Sequence, residues 1–361
     1  MKKTILAAAV LAALSAGSVT YAEDAPAAPA APAAQNAPAQ TQAAPAKEQA
    51  PNIKEIVAGN EAYRQKDLKG AMEHYNKAIE LDAKFAPAYL NRGIVYRDMG
   101  KMDEAIADIS KAIEREPQFV NAYVARGFIY ELTQKYDAAI ADYTKVIELD
   151  GTRFEGYNGR GVAYDKLQRY DEAIADFNKA IELQPKASLA FANRAGTYRS
   201  MKQYDKAIED FSSVLSLEPN AIGIYVERAT TYHMMNNHDA AMADLNKAIE
   251  LQPGEAEFYN IRGLENNSAG SVDAALADLS KAIELNNKNV AYYANRAAVY
   301  AQSGNAAKAI EDYTAGLKLD PKNVLFLYNR GYLYKQTGNA EQSNKDYQEA
   351  LKLKADLPAY K

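Results

Sequence analysis

Small and hydrophobic residues recur along the chain at helical spacing, and the pattern itself repeats every 34 residues. In the repeat that begins at residue 86, Tyr89, Gly93 and Tyr96 lie at i, i+4 and i+7, which places them on one face of a helix. Gly100 then interrupts the helical pattern, and a second apolar face begins at Ala105. Each repeat therefore predicts two helices joined by a short turn.

Nine such repeats follow one another without insertion or deletion, starting at residues 52, 86, 120, 154, 188, 222, 256, 290 and 324. Positions within a repeat are counted below from these starts. A helix pair of this size cannot bury its apolar face alone, so each pair is expected to stack on its neighbours. Prolines such as Pro117 are expected to end the second helices. We predict an all-helical solenoid over residues 52–357, with a short tail at 358–361.

The first 51 residues lack this pattern. Lys2 and Lys3 precede an apolar run at residues 5–14, and small residues follow as far as Ala22. These features predict a Sec signal peptide over residues 1–22, cleaved after Ala22, and a mature protein in the periplasm or secreted. Residues 23–51 are rich in Ala and Pro, and we predict a disordered linker there.

Composition removes several classes of function. The formal net charge of −5 disfavours nucleic acid and anionic membrane surfaces as partners. The chain has no cysteine, which excludes disulfides, thiol nucleophiles and an N-terminal lipid anchor. We expect no integral membrane span in the mature protein, because no later stretch is long and apolar enough.

Charged residues recur in register with the repeats. An Arg stands at position seven in repeats two to nine, and an Asp follows sixteen residues later in each of them. Because every one of these repeats carries the pair, we interpret it as a structural ion pair within a repeat. The residues are Arg92 and Asp108, Arg126 and Asp142, Arg160 and Asp176, Arg194 and Asp210, Arg228 and Asp244, Arg262 and Asp278, Arg296 and Asp312, and Arg330 and Asp346.

Catalytic and metal-binding patterns are missing from the sequence. The histidines are His74, His233 and His238, and the last two are five residues apart, which does not place two ligands side by side on one helix. We therefore predict no metal site, no cofactor and no enzymatic activity.

The repeats resemble the tetratricopeptide repeat family, with its recurring aromatic residues, a Gly or Ala at position eight, a Tyr at position eleven and an Ala at position twenty. The resemblance covers residues 52 to about 357. It implies a right-handed superhelix whose first helices line a concave groove that holds a protein or peptide partner. The best-known ligand mode of the family uses a Lys at position five and an Asn at position nine to clamp a carboxylate. No repeat here has that Lys, and only Asn60 matches the Asn.

The groove implied by this resemblance is largely apolar, which favours binding of a peptide or helix by burial. Its candidate residues are Ile94, Val124, Phe128, Val162, Val226, Leu264, Tyr328 and Tyr332. An alternative for Tyr328 and Tyr332 is that they close the end of the solenoid. We also expect Ser343 and Asn344 to face water at that end, which predicts a monomer.

The function most consistent with these features is a protein-interaction scaffold of the cell envelope. Two alternatives remain: a holdase-like periplasmic chaperone for exported polypeptides, and a module that binds the cell wall. Repeat seven differs from the others in having Asn266 where most repeats have Tyr, and we predict that it is the least stable repeat.

Overall fold

The structure is a computed structural model that describes residues 50–360, and all regular secondary structure in this range is helical. The predicted signal peptide and almost all of the predicted linker lie outside the described residues. The helices are α1 (Pro51–Arg64), α2 (Leu68–Leu81), α3 (Ala86–Asp98), α4 (Met102–Arg115), α5 (Val120–Leu132), α6 (Tyr136–Leu149), α7 (Phe154–Lys166), α8 (Tyr170–Leu183), α9 (Ser188–Ser200), α10 (Tyr204–Leu217), α11 (Ile222–Met234), α12 (His238–Leu251), α13 (Ala256–Ser268), α14 (Val272–Leu285), α15 (Val290–Gln302), α16 (Ala306–Leu319), α17 (Val324–Gln336) and α18 (Ala340–Leu353).

These helices fall into two compact units, and eight of the nine predicted helix pairs lie within one unit or the other. The N-terminal unit ends at Met201 and contains α1 to α9, and the C-terminal unit begins at Lys202 and contains α10 to α18. Within each unit, the two helices of a repeat contact each other, and the second helix contacts the first helix of the next repeat. Neighbouring first helices also meet, as α3 and α5 do. This stacking of helix pairs confirms the predicted solenoid fold.

The turn inside each repeat uses one left-handed residue, always at position fifteen. Four repeats have Gly there, including Gly100 with φ 75°, and the other five have a Lys, Gln or Asn, such as Gln134 with φ 57°. Helices commonly end on a left-handed residue, which directs the chain out of the helix and back along it. The turn is therefore conserved in geometry even where Gly is absent.

Small residues allow the two helices of a repeat to pack closely, as the pattern predicts. A Cβ on Gly93 would lie 2.6 Å from Ile109 and 3.1 Å from the backbone oxygen of Ala105, so a larger residue would overlap the second helix. Ser343 occupies the Ala105 position in the last repeat and is only 6% exposed, so the expectation that it faces water is wrong. Asn344, the next residue, is exposed as expected.

None of the helices described between residues 50 and 360 combines the length and the apolar character needed to span a bilayer.

Candidate functional site

The Arg and Asp pairs are structural, because each joins the two helices of one repeat. Arg126 donates from Nε and Nη2 to both carboxylate oxygens of Asp142, at 2.8 and 2.7 Å. Asp142 is 5% exposed. The bidentate bond to Asp142 raises the pKa of Arg126 above its usual value. Seven such pairs lie within the two units, each confined to one repeat, which confirms the prediction.

The same arginines also connect successive repeats, which the sequence did not indicate. Arg126 Nη1 donates to Ser110 Oγ at 2.9 Å, and Ser110 lies on α4 of the preceding repeat. A polar residue sixteen positions before each described Arg accepts the same bond, for example Asn76 for Arg92 and Thr144 for Arg160. Each nitrogen of the Arg126 guanidinium therefore has an internal partner, and a charged partner molecule is not needed to explain this Arg.

Asparagines on adjacent first helices are bonded to each other. Asn60 Oδ1 accepts from Asn91 Nδ2 at 3.0 Å and from Tyr75 OH at 2.7 Å. Asn158 accepts from Asn193 Nδ2 at 3.0 Å in the same way. Asn60, the residue that matches the carboxylate-clamp Asn, is thus occupied by packing between repeats one and two.

Five of the predicted groove residues stand at position nine of a first helix, and three of these lie on adjoining helices of the N-terminal unit. Ile94, Phe128 and Val162 stand at position nine of α3, α5 and α7, which contact one another in that order. Each is partly buried, and we call these three residues the position-nine row. The same position on α9 is Gly196, where an added Cβ would meet no atom within 4 Å. On α9, therefore, position nine has room for a side chain.

Three other predicted groove residues are not available to a partner. Val226 and Leu264 are each 1% exposed, and Val124 is 8% exposed, so their assignment to an exposed surface is wrong. Val226 belongs to a core cluster with Phe258 and Ile261 of the next repeat. Because the neighbouring repeat covers it, its apolar surface is already buried in the free protein.

Tyr328 and Tyr332 are also occupied, because the chain's own C-terminal segment packs on them. The ring of Tyr360 lies 5.0 Å from the ring of Tyr328, 5.9 Å from that of Tyr332 and 4.7 Å from that of Tyr347. Tyr360 OH donates to the backbone oxygen of Tyr328 at 2.9 Å. Residues 354–360, which follow α18, therefore cover this face of the last described repeat. These contacts favour the end-closing role over the groove role.

Glu131 on α5 carries a buried carboxyl group that sequence reasoning missed. It stands one residue before the exposed Leu132 (45% exposed) at the end of the helix. Its Oε1 is buried without a hydrogen-bond partner among the described residues, whereas the carboxyl group accepts a bond from Tyr143. Burial raises the pKa of Glu131 to about 7, against the smaller lowering effects of Tyr143 and Lys166.

A cluster of two histidines and a glutamate lies in the C-terminal unit, so the argument that the five-residue spacing keeps His233 and His238 apart was wrong. His233 Nδ1 lies 2.5 Å from Glu265 Oε2, and His238 Nδ1 lies 2.6 Å from Glu265 Oε1. The histidines are on two different helices, α11 and α12, so the spacing rule for a single helix does not apply. Burial alone would raise the pKa of Glu265, but the bonds from both imidazoles outweigh it and lower the pKa.

Repeat seven is more completely bonded than its sequence suggests. Asn266 is 8% exposed and donates from Nδ2 to Asp278 Oδ2 at 3.0 Å. This bond replaces part of what the absent Tyr ring would contribute. That repeat seven is the least stable repeat stays a prediction.

Comparison with solved structures agrees with this fold. A tetratricopeptide repeat protein from Parabacteroides merdae superposes with a TM-score of 0.54 at 23% identity, over 69% of this chain and 98% of that chain. PilF from Pseudomonas aeruginosa gives a TM-score of 0.50 at 21% identity, over 59% of this chain and 96% of that chain. At these identities the likeness concerns the fold alone.

Sequence relatives match over a short segment. The Hsp70-Hsp90 organizing protein of Triticum aestivum is 48% identical over 56 residues, which is 16% of this chain and 10% of that protein. Stress-induced-phosphoprotein 1 of Caenorhabditis elegans is 44% identical over 54 residues, which is 15% of this chain and 17% of that protein. The chain therefore spans less than a fifth of the length of either relative.

Family models cover most of the repeat region. Models described as "Tetratricopeptide repeat" match residues 86–119, 120–153, 154–187, 188–221, 222–255 and 325–357, and one described as "TPR repeat" matches 59–100 and 299–338. Repeats of this family mediate protein–protein interaction. With two helices of the expected length in every repeat and these matches, the chain belongs to the tetratricopeptide repeat family.

Proposed function

We propose that this protein is an interaction scaffold of the cell envelope that holds an apolar segment of a partner polypeptide on the position-nine row of its N-terminal unit. The observation that carries the proposal is the row itself: three large apolar side chains at one position of three adjoining first helices. The consensus of the repeat does not require them, since Gly196, Thr230 and Ala298 occupy position nine elsewhere.

The surroundings of the row favour a ligand that is mainly apolar. Leu132 lies one helical turn after Phe128 on α5 and is 45% exposed, so the two extend one apolar strip. Arg97 lies above the Phe128 ring, 5.8 Å from its centroid, and Glu131 and Asp165 stand at the same position of the next two repeats. The charges along this edge are mixed in sign, so affinity is expected to come from buried apolar area.

The envelope location rests on the predicted signal peptide at residues 1–22. Fractionation of the host cell tests it: the protein is expected in the periplasmic or secreted fraction with Glu23 as its first residue. A cytoplasmic protein with an intact N-terminus would contradict the location, and the proposal would then be restricted to scaffolding.

The binding surface can be tested by site-specific photo-crosslinking in the host. A benzophenone amino acid at position 128 is expected to yield a discrete adduct with a partner polypeptide. The matched control is position 148, where exposed Glu148 lies on the second helix of the same repeat. Equal adducts at both positions, or none at position 128, would contradict the assignment of the row.

The same experiment separates the scaffold from the alternatives. A scaffold yields one adduct and binds its partner at fixed stoichiometry. A holdase yields many adducts and suppresses aggregation of unrelated unfolded clients, and a cell-wall module co-sediments with purified peptidoglycan.

A further inference from the structure

The cluster of His233, His238 and Glu265 brings together three side chains that are distant in sequence. His233 is the penultimate residue of α11, and the turn at residues 235–237 returns the chain so that His238 begins α12. Glu265 is on α13, the first helix of the next repeat. One potential ligand atom from each residue lies within 4.8 Å of the other two, and no other such group of three or more occurs in the described part of the chain.

Glu265 departs from the repeat pattern in a way that packing does not explain. It stands at position ten, where the neighbouring repeats have Thr231 and Val299, and it is 1% exposed. Burying a carboxylate costs several kcal/mol unless it is paired. His238 likewise occupies position seventeen, where Tyr136, Tyr170 and Tyr204 stand in other repeats. Unusual residues from two repeats therefore meet at one point.

The three side chains form a donor set that suits a transition metal. Two imidazoles and one carboxylate are the protein ligands of many zinc sites, in which solvent or another group takes the fourth position. The imidazoles are about a quarter exposed, with side-chain exposures of 25% and 29%, so an ion can reach them from solvent. Glu265 is enclosed and fixed between them, which supplies a rigid anionic ligand.

Binding requires only a small movement. The N–O distances of 2.5 and 2.6 Å are those of hydrogen bonds, so a proton lies between each imidazole and the carboxylate. A cation bonded at about 2.0–2.2 Å to each ligand takes the place of these protons, and the single proton of each neutral imidazole moves from Nδ1 to Nε2 through solvent. The ligand atoms separate to about 3.3–3.6 Å in a tetrahedral site, which rotation of the partly exposed rings can provide.

We propose that His233, His238 and Glu265 form a binding site for a divalent transition metal of the Zn²⁺ class, linking repeat six to repeat seven. The proposal is independent of the peptide-binding role, since the cluster lies in the C-terminal unit and the position-nine row in the other. The ligand is the metal itself.

The test uses the full mature chain without a histidine tag, stripped with a chelator and titrated with ZnSO₄ by calorimetry. We expect binding of about one equivalent, with Zn K-edge absorption spectra that show imidazole ligands. Glu265→Gln and His238→Tyr are each expected to weaken binding by at least about tenfold. His74→Ala is the matched control, because His74 also contacts a carboxylate, Glu55 at 2.7 Å, but without a second histidine.

A further variant separates loss of metal binding from loss of folding. Glu265→Val introduces the residue found at Val95 and Val299, so it is expected to retain helicity while losing the metal. The proposal is overturned if the stripped wild-type chain takes up no Zn²⁺ at about 100 μM. It is equally overturned if folded Glu265→Val binds Zn²⁺ as tightly as wild type, or if His74→Ala removes the binding. The cluster would then be a hydrogen-bonded contact between repeats only.

Discussion

The two units of the molecule differ at position three of their first helices, although the repeats are built alike. In the N-terminal unit the residues in repeats two to five are small, and in the C-terminal unit those in repeats six to nine are large. All eight are buried. They are Ala88, Ala122, Gly156 and Ala190 in the first unit, and Ile224, Phe258, Tyr292 and Phe326 in the second.

The difference shows which of two contacting helices contributes the large side chain between successive repeats. At the contact of α16 with α17, a Cβ on Gly316 would overlap the ring of Phe326, so the second helix is small where the first is large. At the contact of α6 with α7 the sizes are reversed, since a Cβ on Gly156 would lie 2.9 Å from Val146. The same repeat pattern thus tolerates a large side chain on either of the two contacting helices, provided that the residue facing it is small.

The consequence extends to the first-helix surface. Phe258 shares a cluster with Val226, and with it that valine becomes part of the core. In the N-terminal unit the position-nine row remains partly buried, whereas Leu264 at the same position of α13 is fully buried. The two units are therefore interpreted as differing in how far position nine is covered by neighbouring helices.

The largest expected effect comes from two matched Phe-to-Ala substitutions, one in each unit, that test this difference. Phe258→Ala is expected to destabilise the C-terminal unit by about 3–5 kcal/mol, because it leaves a cavity between repeats. Phe128→Ala removes a partly exposed ring and is expected to cost less than about 1 kcal/mol. Urea unfolding with hydrogen exchange measures both. Equal losses would show that the position-nine row is part of the core.

Glu131 provides a pH-dependent test within the N-terminal unit. Its pKa is raised to about 7 in the folded protein from an ordinary value of 4.5, so the folded state binds the proton more tightly than the unfolded state. The group therefore lowers stability progressively as pH rises from about 4.5 through 7.

Replacing Glu131 by an uncharged residue should remove this loss of stability. Glu131→Gln is expected to stabilise the protein by about 2–3 kcal/mol at pH 8 and to change little at pH 4.5. The measurement is urea unfolding at both pH values. Glu172→Gln is the control, since Glu172 is exposed and its pKa is lowered by a bond from Arg169. A stabilisation by Glu131→Gln that does not depend on pH would contradict the assignment.

Affinity for a captured partner tests the position-nine row against the C-terminal tyrosines. Once an adduct identifies the bound segment, Phe128→Ala is expected to weaken its binding by about 2 kcal/mol, or roughly 30-fold. Tyr332→Ala should leave affinity unchanged, because Tyr360 already covers that ring. Fluorescence anisotropy with the labelled segment measures both, and the reverse order would restore Tyr332 as the binding residue.

The smallest effect concerns the end of the C-terminal unit. Tyr360→Ala is expected to cost about 1 kcal/mol, because the ring loses its contacts with Tyr328, Tyr332 and Tyr347. The loss should be local, so amides of α17 and α18 exchange faster while those of α12 do not. Faster exchange throughout the unit would show that the tail supports more than the last repeat.

The sequence by itself determined the features that recur. The 34-residue period, the small residues at Gly93 and its counterparts, and the pairing of Arg with Asp within a repeat all depend on neighbours at a constant offset along the chain. Periodicity reveals such contacts because the same pair of residue types recurs at the same positions of each repeat.

Tertiary structure alone decided the features that occur once. Val226 and Leu264 are aliphatic residues like Val162, yet they are fully buried and Val162 is not. Burial at these positions depends on the side chains that other helices contribute. The contact of Tyr360 with Tyr328 and the meeting of two histidines at Glu265 join residues 27 to 32 apart in sequence through turns that reverse the chain. A single such contact leaves no periodic signal, so only the packed helices show which unusual side chains face each other.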